Sequence, residues 1–425
     1  MTLWQNWSGG VQANPFASVH IHNEQQLVDT VRQSPRPIRA CGAGHSFSPL
    51  LQLEGGVHLH LTDLNKVDVE SRDPLLARIG AGVQLHNLTP QLNALGMALD
   101  NMGDIDAQTL AGALATATHG TGQELPCYSA MIEEMVLVDG QGQRRVINRS
   151  QDDTLFRAMA VGLGTGGILS EVVLRTVPHY RLAKRRFQMD IDDLLADFPA
   201  QMAAARHVEF FYITHSGQAL GLASDVTDKP CTVRPPDTDQ DGLVQLRWAA
   251  RLLSWAPALR RKVLAYALRD HSAEHFVADW FQAFASDRDR IRFNETEYHL
   301  PAELAPQALR EVIACMERHF PKVYFPLEIR TVQADELFLS PFYRRDSVSI
   351  AVHHEAGKPF AALMAAVEPI FARYQGRPHW GKAHTLTARE LRALYPKFDE
   401  AVAVRRELDP EGVFNSPYIK RLLDL

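Results

Sequence analysis

Three tracts of glycine and other small residues fall within the first 180 positions, and they constrain the fold more than any other feature of the chain. The first reads Arg39-Ala40-Cys41-Gly42-Ala43-Gly44-His45-Ser46-Phe47. The second runs from Thr109 through Gly112 and Thr116-Ala117-Thr118-His119-Gly120 to Gly122, with nearly every side chain small. The third is Gly162-Leu163-Gly164-Thr165-Gly166-Gly167. Glycine opens backbone conformations closed to other residues, and successive unencumbered amides form a concave nest for an anion. One Gly-rich loop is a weak signal. A loop with a histidine where a dinucleotide helix would begin, followed by two further small-residue tracts, is far more specific. Residues 42–45 lack the Gly-x-Gly-x-x-Gly spacing, which speaks against a Rossmann-type domain. Taken singly, the first tract is also compatible with a tight turn and a surface histidine. The second is compatible with a close-packed helix, which Thr116, Thr118, Gly120 and Gly122 suit poorly.

The rest of the sequence narrows the class. A chain of 425 residues exceeds one ordinary core, so two or three domains are expected. Its formal net charge of -6 lacks the basic bias of nucleic-acid binding. No run of about 18 apolar residues predicts a transmembrane helix. Residues 1–15 show no basic segment followed by an apolar one, so a cytoplasmic chain without a secretory leader is expected. Cys41, Cys127, Cys231 and Cys315 are far apart and form no CxxC pair, which argues for free thiols and against zinc or a disulfide framework. His58 and His60 share a strand face without a third ligand nearby, so they read as strand histidines.

Period-2 patterning predicts strands at 57–61, 75–79, 135–138, 145–147, 168–177, 207–214, 327–332 and 348–353, with a hairpin turn at 139–142. Helices are expected at 153–160, 302–319 and 356–374, and an exposed loop at 225–242. Residues 243–270 are amphipathic and basic, a pattern that suits a membrane surface or a partner. The preferred reading is a cap helix with a solvated basic face, broken in two at Pro257. No βαβ rhythm links these elements, so the fold class is α+β.

The C-terminal half adds three motifs: Glu328-Ile329-Arg330, His379-Trp380-Gly381-Lys382, and Asp409-Pro410-Glu411-Gly412-Val413-Phe414-Asn415. On a strand, Glu328 and Arg330 point to one face. By itself that pair reads as a structural salt bridge, and Lys382 as a surface charge.

With these motifs in order along nearly its whole length, the chain resembles the vanillyl-alcohol-oxidase or PCMH-type FAD enzymes. Within them it is most similar to the aldonolactone and alditol oxidases, of the D-arabinono-1,4-lactone oxidase kind. The resemblance implies a PCMH-type FAD domain over residues 1–178, an α+β substrate or cap domain with a mixed sheet over 179–375, and a return to the FAD domain over 376–425. It implies FAD bonded covalently through His45, with Cys41, Gly42, Ala43, Gly44, Ser46, Gly103, Asp104, Thr109, Gly112, Thr116, Ala117, Thr118, His119, Ile168 and Lys382 around it. Glu328, Arg330 and Lys382 take the catalytic roles, and Asp104 and His353 join them at the substrate. Asp104 stands where the alditol oxidases have serine, and His353 near their usual threonine. An acidic Asp104 argues mildly against an acidic substrate. The expected reaction is hydride removal from an alditol, other polyol or aldono-1,4-lactone, with oxygen as acceptor because Gly103 is small. The alternatives are a dehydrogenase of the same fold that feeds a quinone or cytochrome, and a non-catalytic FAD-binding interaction protein.

Overall fold

The first glycine tract begins where a short strand stops. Ile38–Ala40 lies in a parallel three-stranded sheet beside Val57–His60, with Ala17–His20 on the far side. The computed structural model describes residues 3–268, 275–284 and 290–425. Arg269 and Asp270, the end of the basic segment, lie outside them. Helix Glu24–Gln33 covers this sheet. Asn23 caps it by accepting from Gln26 N at 2.9 Å, Glu24 sits in its first turn and Arg32 in its last, which suits the helix dipole. Leu27 and Val31 pack on Ile38, Val57 and Leu59, together with Val413 and Phe414 from the far end of the sequence. Ile38 N donates to Val413 O at 2.8 Å. The Asp-Pro-Glu-Gly-Val-Phe motif therefore completes the edge of the glycine-bearing strand, and Asp409 holds it by accepting from Val413 N and Phe414 N.

A five-stranded antiparallel sheet follows, in the order Arg144–Asn148, Ile132–Asp139, Gly167–Arg175, Leu75–Gly80, Val67–Arg72. The hairpin turn is as the sequence predicts. Gly142 takes φ +69, and Asp139 accepts from the amides of Gln141 and Gln143 at 2.9 and 2.8 Å.

The remaining large element is an eight-stranded antiparallel sheet. Its order is His275–Asp279, Arg181–Asp190, Gln218–Thr227, His207–Ile213, Leu327–Val332, Ser347–Glu355, Phe293–Pro301, Arg377–Pro378. Alternation splits its central strands into two faces. Phe210, Tyr212, Leu327, Ile329, Ile350, Val352, Tyr298 and Leu300 point to one face and pack on helices Ala305–His319 and Ala361–Arg373. Ala308, Leu309, Val312 and Met316 form the apolar stripe of the first helix, at the spacing a buried face requires. Ile329 is fully buried, and truncation to alanine at such a position costs about 2–5 kcal/mol.

The opposite face is polar yet buried. It carries Glu209, Glu295, Glu297, His299, Glu328, Arg330, Ser349 and His353, in direct cross-strand register: Glu209 opposite Arg330, Arg330 opposite Ser349, His299 opposite Ser349, Glu295 opposite His353.

The α+β class is as expected. Several strands escape the patterning, among them Ala17–His20, Val67–Arg72, Arg181–Asp190, Gln218–Thr227, His275–Asp279 and Phe293–Pro301. The exposed loop is shorter than expected, because one strand runs on to Thr227 and helix Asp239–Leu253 begins before 242. The basic segment does break at Pro257, which opens helix Pro257–Leu268. Its exposed face differs from the solvated basic surface expected, since it is also aromatic.

Candidate active site

The three small-residue tracts converge. Gly42 lies so close to the second tract that a Cβ there would meet Thr109 Oγ1 at 2.3 Å. Gly44 has φ +73, a conformation that side chains resist. The second tract forms only a short helix, Leu110–Ala115, capped by Thr109, before Ala117 turns the chain with φ 55. The third tract reverses direction through Leu163, Gly164 and Gly166, all at positive φ.

Two buried arginines fix this arrangement. Arg39 donates from Nε to Leu50 O at 2.9 Å, from Nη1 to Gly164 O and Phe414 O at 2.6 and 3.0 Å, and from Nη2 to Leu163 O at 2.7 Å. One side chain thus ties the first tract, the third tract and the C-terminal motif. Burial pulls its pKa down to about 10, so it stays charged at neutral pH. Arg405 secures the third tract again, through Thr165 Oγ1 at 2.9 Å and Val161 O at 2.8 Å.

Between the tracts lies a cavity lined by Cys41, Gly42, Ala43, Gly44, His45, Ser46, Thr109, Gly112, Thr116 and Ile168, among others. The amides of Gly42, Ala43 and Gly44 make no hydrogen bond among the described residues, which leaves them for an anionic ligand. Long, lined by small groups and supplied with uncommitted amides, this cradle fits FAD.

A second, smaller cavity shares His45, Ser46, Gln108 and Thr116 with the first. The cradle therefore adjoins it. Its walls are Gly103, Asp104, Ile105, Thr118, His119, Glu295, Glu297, Glu328, Arg330, His379, Gly381 and Lys382. The His-Trp-Gly-Lys motif closes this space. Phe47 N donates to Gly381 O at 2.7 Å, Ser48 Oγ to Trp380 O at 2.7 Å, and Trp380 Nε1 to Leu339 O at 2.6 Å. Lys382 then lies over the Phe47 ring and donates to Glu295 Oε2 at 2.6 Å. On the other side, His45 stacks on Trp7 with ring centres 5.8 Å apart.

Glu297 is the hub of the polar face. Its Oε1 accepts from Arg330 Nη2 at 2.9 Å and from the Ser349 hydroxyl, and His119 Nε2 lies 3.1 Å away. Burial opposes its ionisation, but Arg330, His119 and His379 outweigh that and hold it well below the usual carboxylate range. Burial lowers the His379 pKa to about 3, so this ring is neutral. Glu209 behaves oppositely. Burial first, then the charges of Asp104 and Glu328, push it up to about 8, leaving it protonated at neutral pH. Glu328 Oε1 stands 3.4 Å from Arg330 Nε, and neither atom has a hydrogen-bond partner among the described residues. A buried carboxylate oxygen and a guanidinium N–H are thus both available to a hydroxyl-bearing ligand.

Of the residues singled out from the sequence, Ala117 and His353 do not line either cavity. Ala117 makes the turn behind Thr116. His353 lies beneath the pocket floor, its Nε2 3.6 Å from Glu295 Oε1 and 3.9 Å from Glu328 Oε2. The others line one cavity or both. Sequence reasoning missed Glu295, Glu297, Glu209 and, as a pocket residue in its own right, His379. The signal was there for two of them: Phe293–Pro301 reads Phe-Asn-Glu-Thr-Glu-Tyr-His-Leu-Pro, with Glu295, Glu297 and His299 alternating on one face.

Comparison with known proteins matches two family models to successive parts of the chain. A family model described as FAD binding domain matches residues 15–148, and one described as D-arabinono-1,4-lactone oxidase matches residues 172–422. An L-gulono-1,4-lactone dehydrogenase of Mycobacterium tuberculosis is 35% identical, with 99% of each chain covered. An alditol oxidase of Streptomyces is 28% identical over 100% of this chain and 99% of its own. The L-gulonolactone oxidase of Mus musculus is 26% identical over 99% and 98%. Among solved structures, a solvent-stable cholesterol oxidase superposes with a TM-score of 0.85 at 17% identity, over 100% of this chain and 97% of that one, which is a likeness of fold. The cradle, the charged pocket beside it and these matches together make the chain a member of the D-arabinono-1,4-lactone oxidase family of FAD-dependent oxidoreductases.

Proposed function

We propose that the chain oxidises an alcohol group of a neutral sugar-derived molecule, an alditol or an aldono-1,4-lactone, using FAD held in the small-residue cradle. The observation that carries this reading is the adjacency of the two cavities. His45, Ser46, Gln108 and Thr116 belong to both, so a cofactor in the cradle presents one end to Glu328, Arg330 and Lys382. The pocket sets four carboxylates (Asp104, Glu295, Glu297 and Glu328) against the fixed cations Arg330 and Lys382. That balance disfavours an acidic substrate and suits hydroxyls, which both donate and accept.

When bound, FAD supplies the two-electron acceptor for hydride leaving the alcohol carbon. The chain supplies the rest. Glu328 accepts the hydroxyl proton, its Oε1 having no competing hydrogen bond. Arg330, anchored by Glu297, holds Glu328 and a substrate hydroxyl in register. Lys382 places a positive charge at the mouth of the cradle, where it offsets negative charge gained in reduction. Asp104 grips a further hydroxyl. His45 would hold the flavin covalently, and Thr118 and His119 would line its end of the site.

The test is acid precipitation of the purified protein. Yellow colour kept in the pellet of wild type, and released to the supernatant in His45→Ala, supports the covalent link. Colour in the supernatant of wild type removes it. Bleaching of the bound flavin by an alditol or aldonolactone without oxygen supports the substrate class, and no bleaching by either removes it.

Oxygen is the acceptor favoured by Gly103, the smallest residue available at the pocket wall. A second reading rests on the relative at 35% identity, which is named a dehydrogenase. In that reading a quinone or cytochrome takes the electrons. Comparing turnover with oxygen and with an artificial acceptor separates the two.

A further inference from the structure

Among the described residues, eleven large apolar side chains are exposed, and six of them fall between 248 and 266. They are Trp248, Leu252, Trp255, Leu259, Val263 and Tyr266, with Trp255 79%, Tyr266 76% and Leu252 64% exposed. Trp248 and Leu252 share one face of the first helix, Leu259, Val263 and Tyr266 one face of the second, and Trp255 lies in the turn between them. On Pro257–Leu268 the inner face is Arg260 and Leu264, while Leu259, Val263 and Tyr266 form the outer one. The inward side chains Leu246, Ala250 and Leu264 pack with Phe47, Phe293, Tyr324 and Phe325, so the stripe is the outside of a firmly seated element.

Charge says what covers it. From 242 to 268 the chain has five basic residues and no acidic one, within a protein of net charge -6. Arg251, Arg261 and Lys262 are exposed beside the stripe, and Arg251 lies over the Trp248 ring at 5.5 Å. A second copy docked face to face would bring these cations against themselves. Tryptophan and tyrosine flanked by arginine and lysine, on a helical face otherwise aliphatic, match the boundary between lipid headgroups and acyl chains. The geometry points to a peripheral membrane-docking face: helices Asp239–Leu253 and Pro257–Leu268 seat the Trp248–Tyr266 stripe in the surface of an anionic phospholipid bilayer, with Arg251, Arg261 and Lys262 on the headgroups.

The experiment is flotation of the flavin-loaded enzyme with vesicles of phosphatidylcholine alone, or of phosphatidylcholine with phosphatidylglycerol. Three exposed cations give about 100-fold stronger partitioning onto the anionic vesicles at low salt, reduced in high salt. The variant W255S/Y266S loses partitioning to both, and R251Q/R261Q/K262Q binds both alike. Both variants retain flavin, which reports folding through a different part of the molecule. Equal partitioning of wild type onto the two vesicles, binding of W255S/Y266S at the wild-type level, or absence of binding overturns the inference. So does a dimer in sedimentation analysis that W255S/Y266S dissociates while vesicles bind nothing, which would give the stripe to a second copy.

Discussion

Replacing Glu209 with glutamine should stabilise the protein, and by an amount that grows with pH. Glu209 is buried on the polar face opposite Arg330, and its pKa rises from the ordinary 4.5 to about 8. An acid that holds its proton more tightly when folded favours the folded state fully below the unfolded value, and that advantage is lost as pH rises toward the folded value. At about 1.4 kcal/mol per tenfold in proton affinity, the full span from 4.5 to about 8 corresponds to about 5 kcal/mol. Roughly half of it, about 2–3 kcal/mol, falls between about pH 5.5 and about pH 7.5. Glutamine keeps the shape and a donor but does not titrate. Urea unfolding of wild type and E209Q, at matched flavin content and at both pH values, measures the difference directly. E209Q should gain on wild type by about 2–3 kcal/mol from the lower pH to the higher. A constant difference between the two proteins, or wild type gaining as pH rises, would show that Glu209 is ionised in the fold, and would overturn the account of its neighbours Asp104 and Glu328.

Three further outcomes follow from the same geometry. Glu328→Gln should slow anaerobic flavin reduction by about 10²–10⁴-fold while flavin content holds, since Arg330 keeps Glu297 at 2.9 Å; unchanged single-turnover rates would remove Glu328 as the base. Arg39→Met leaves four buried carbonyls without their donor, so a loss of at least about 3 kcal/mol in urea unfolding is expected, with weakened flavin retention; a neutral effect would deny that Arg39 pins the cradle. Gly103→Ala places a Cβ 2.9 Å from His119 O and should depress reoxidation by oxygen more than turnover with an artificial acceptor; equal oxygen reactivity refutes the oxygen path.

The cradle was legible because its chemistry demands small residues, and small residues in three clustered tracts are rare enough to be seen. The strand of Glu328 and Arg330 was equally visible from its alternation. Phe293–Pro301 was not, although it carries Glu295 and Glu297. Alternating acids on a strand ordinarily mark a solvent face, and these face a buried pocket instead, a fact that exists only once Arg330, Lys382 and His119 are brought to them from elsewhere in the chain. Glu209 was hidden in the aromatic run 207–214 for a related reason: the strand was plain, but a lone acid among phenylalanines gains meaning only from what lies opposite. The basic segment shows a third kind of gap. Sequence gives its charge and its break at Pro257, whereas packing decides that Leu246 and Leu264 turn inward and Trp255 and Tyr266 do not.

The cofactor cradle is bound up with the order in which the protein is made. Arg39 belongs to one of the first strands to leave the ribosome, and Phe414 O, one of its acceptors, is 375 residues away. Ile38 waits likewise for Val413 O, and the mouth of the cradle for Gly381 and Lys382. A nascent chain can pair its early strands yet cannot close this pocket until nearly all of translation has passed. A chain cut short before residue 380 retains its glycine loops but lacks the Phe414 carbonyl that Arg39 holds and the His-Trp-Gly-Lys wall of the neighbouring pocket.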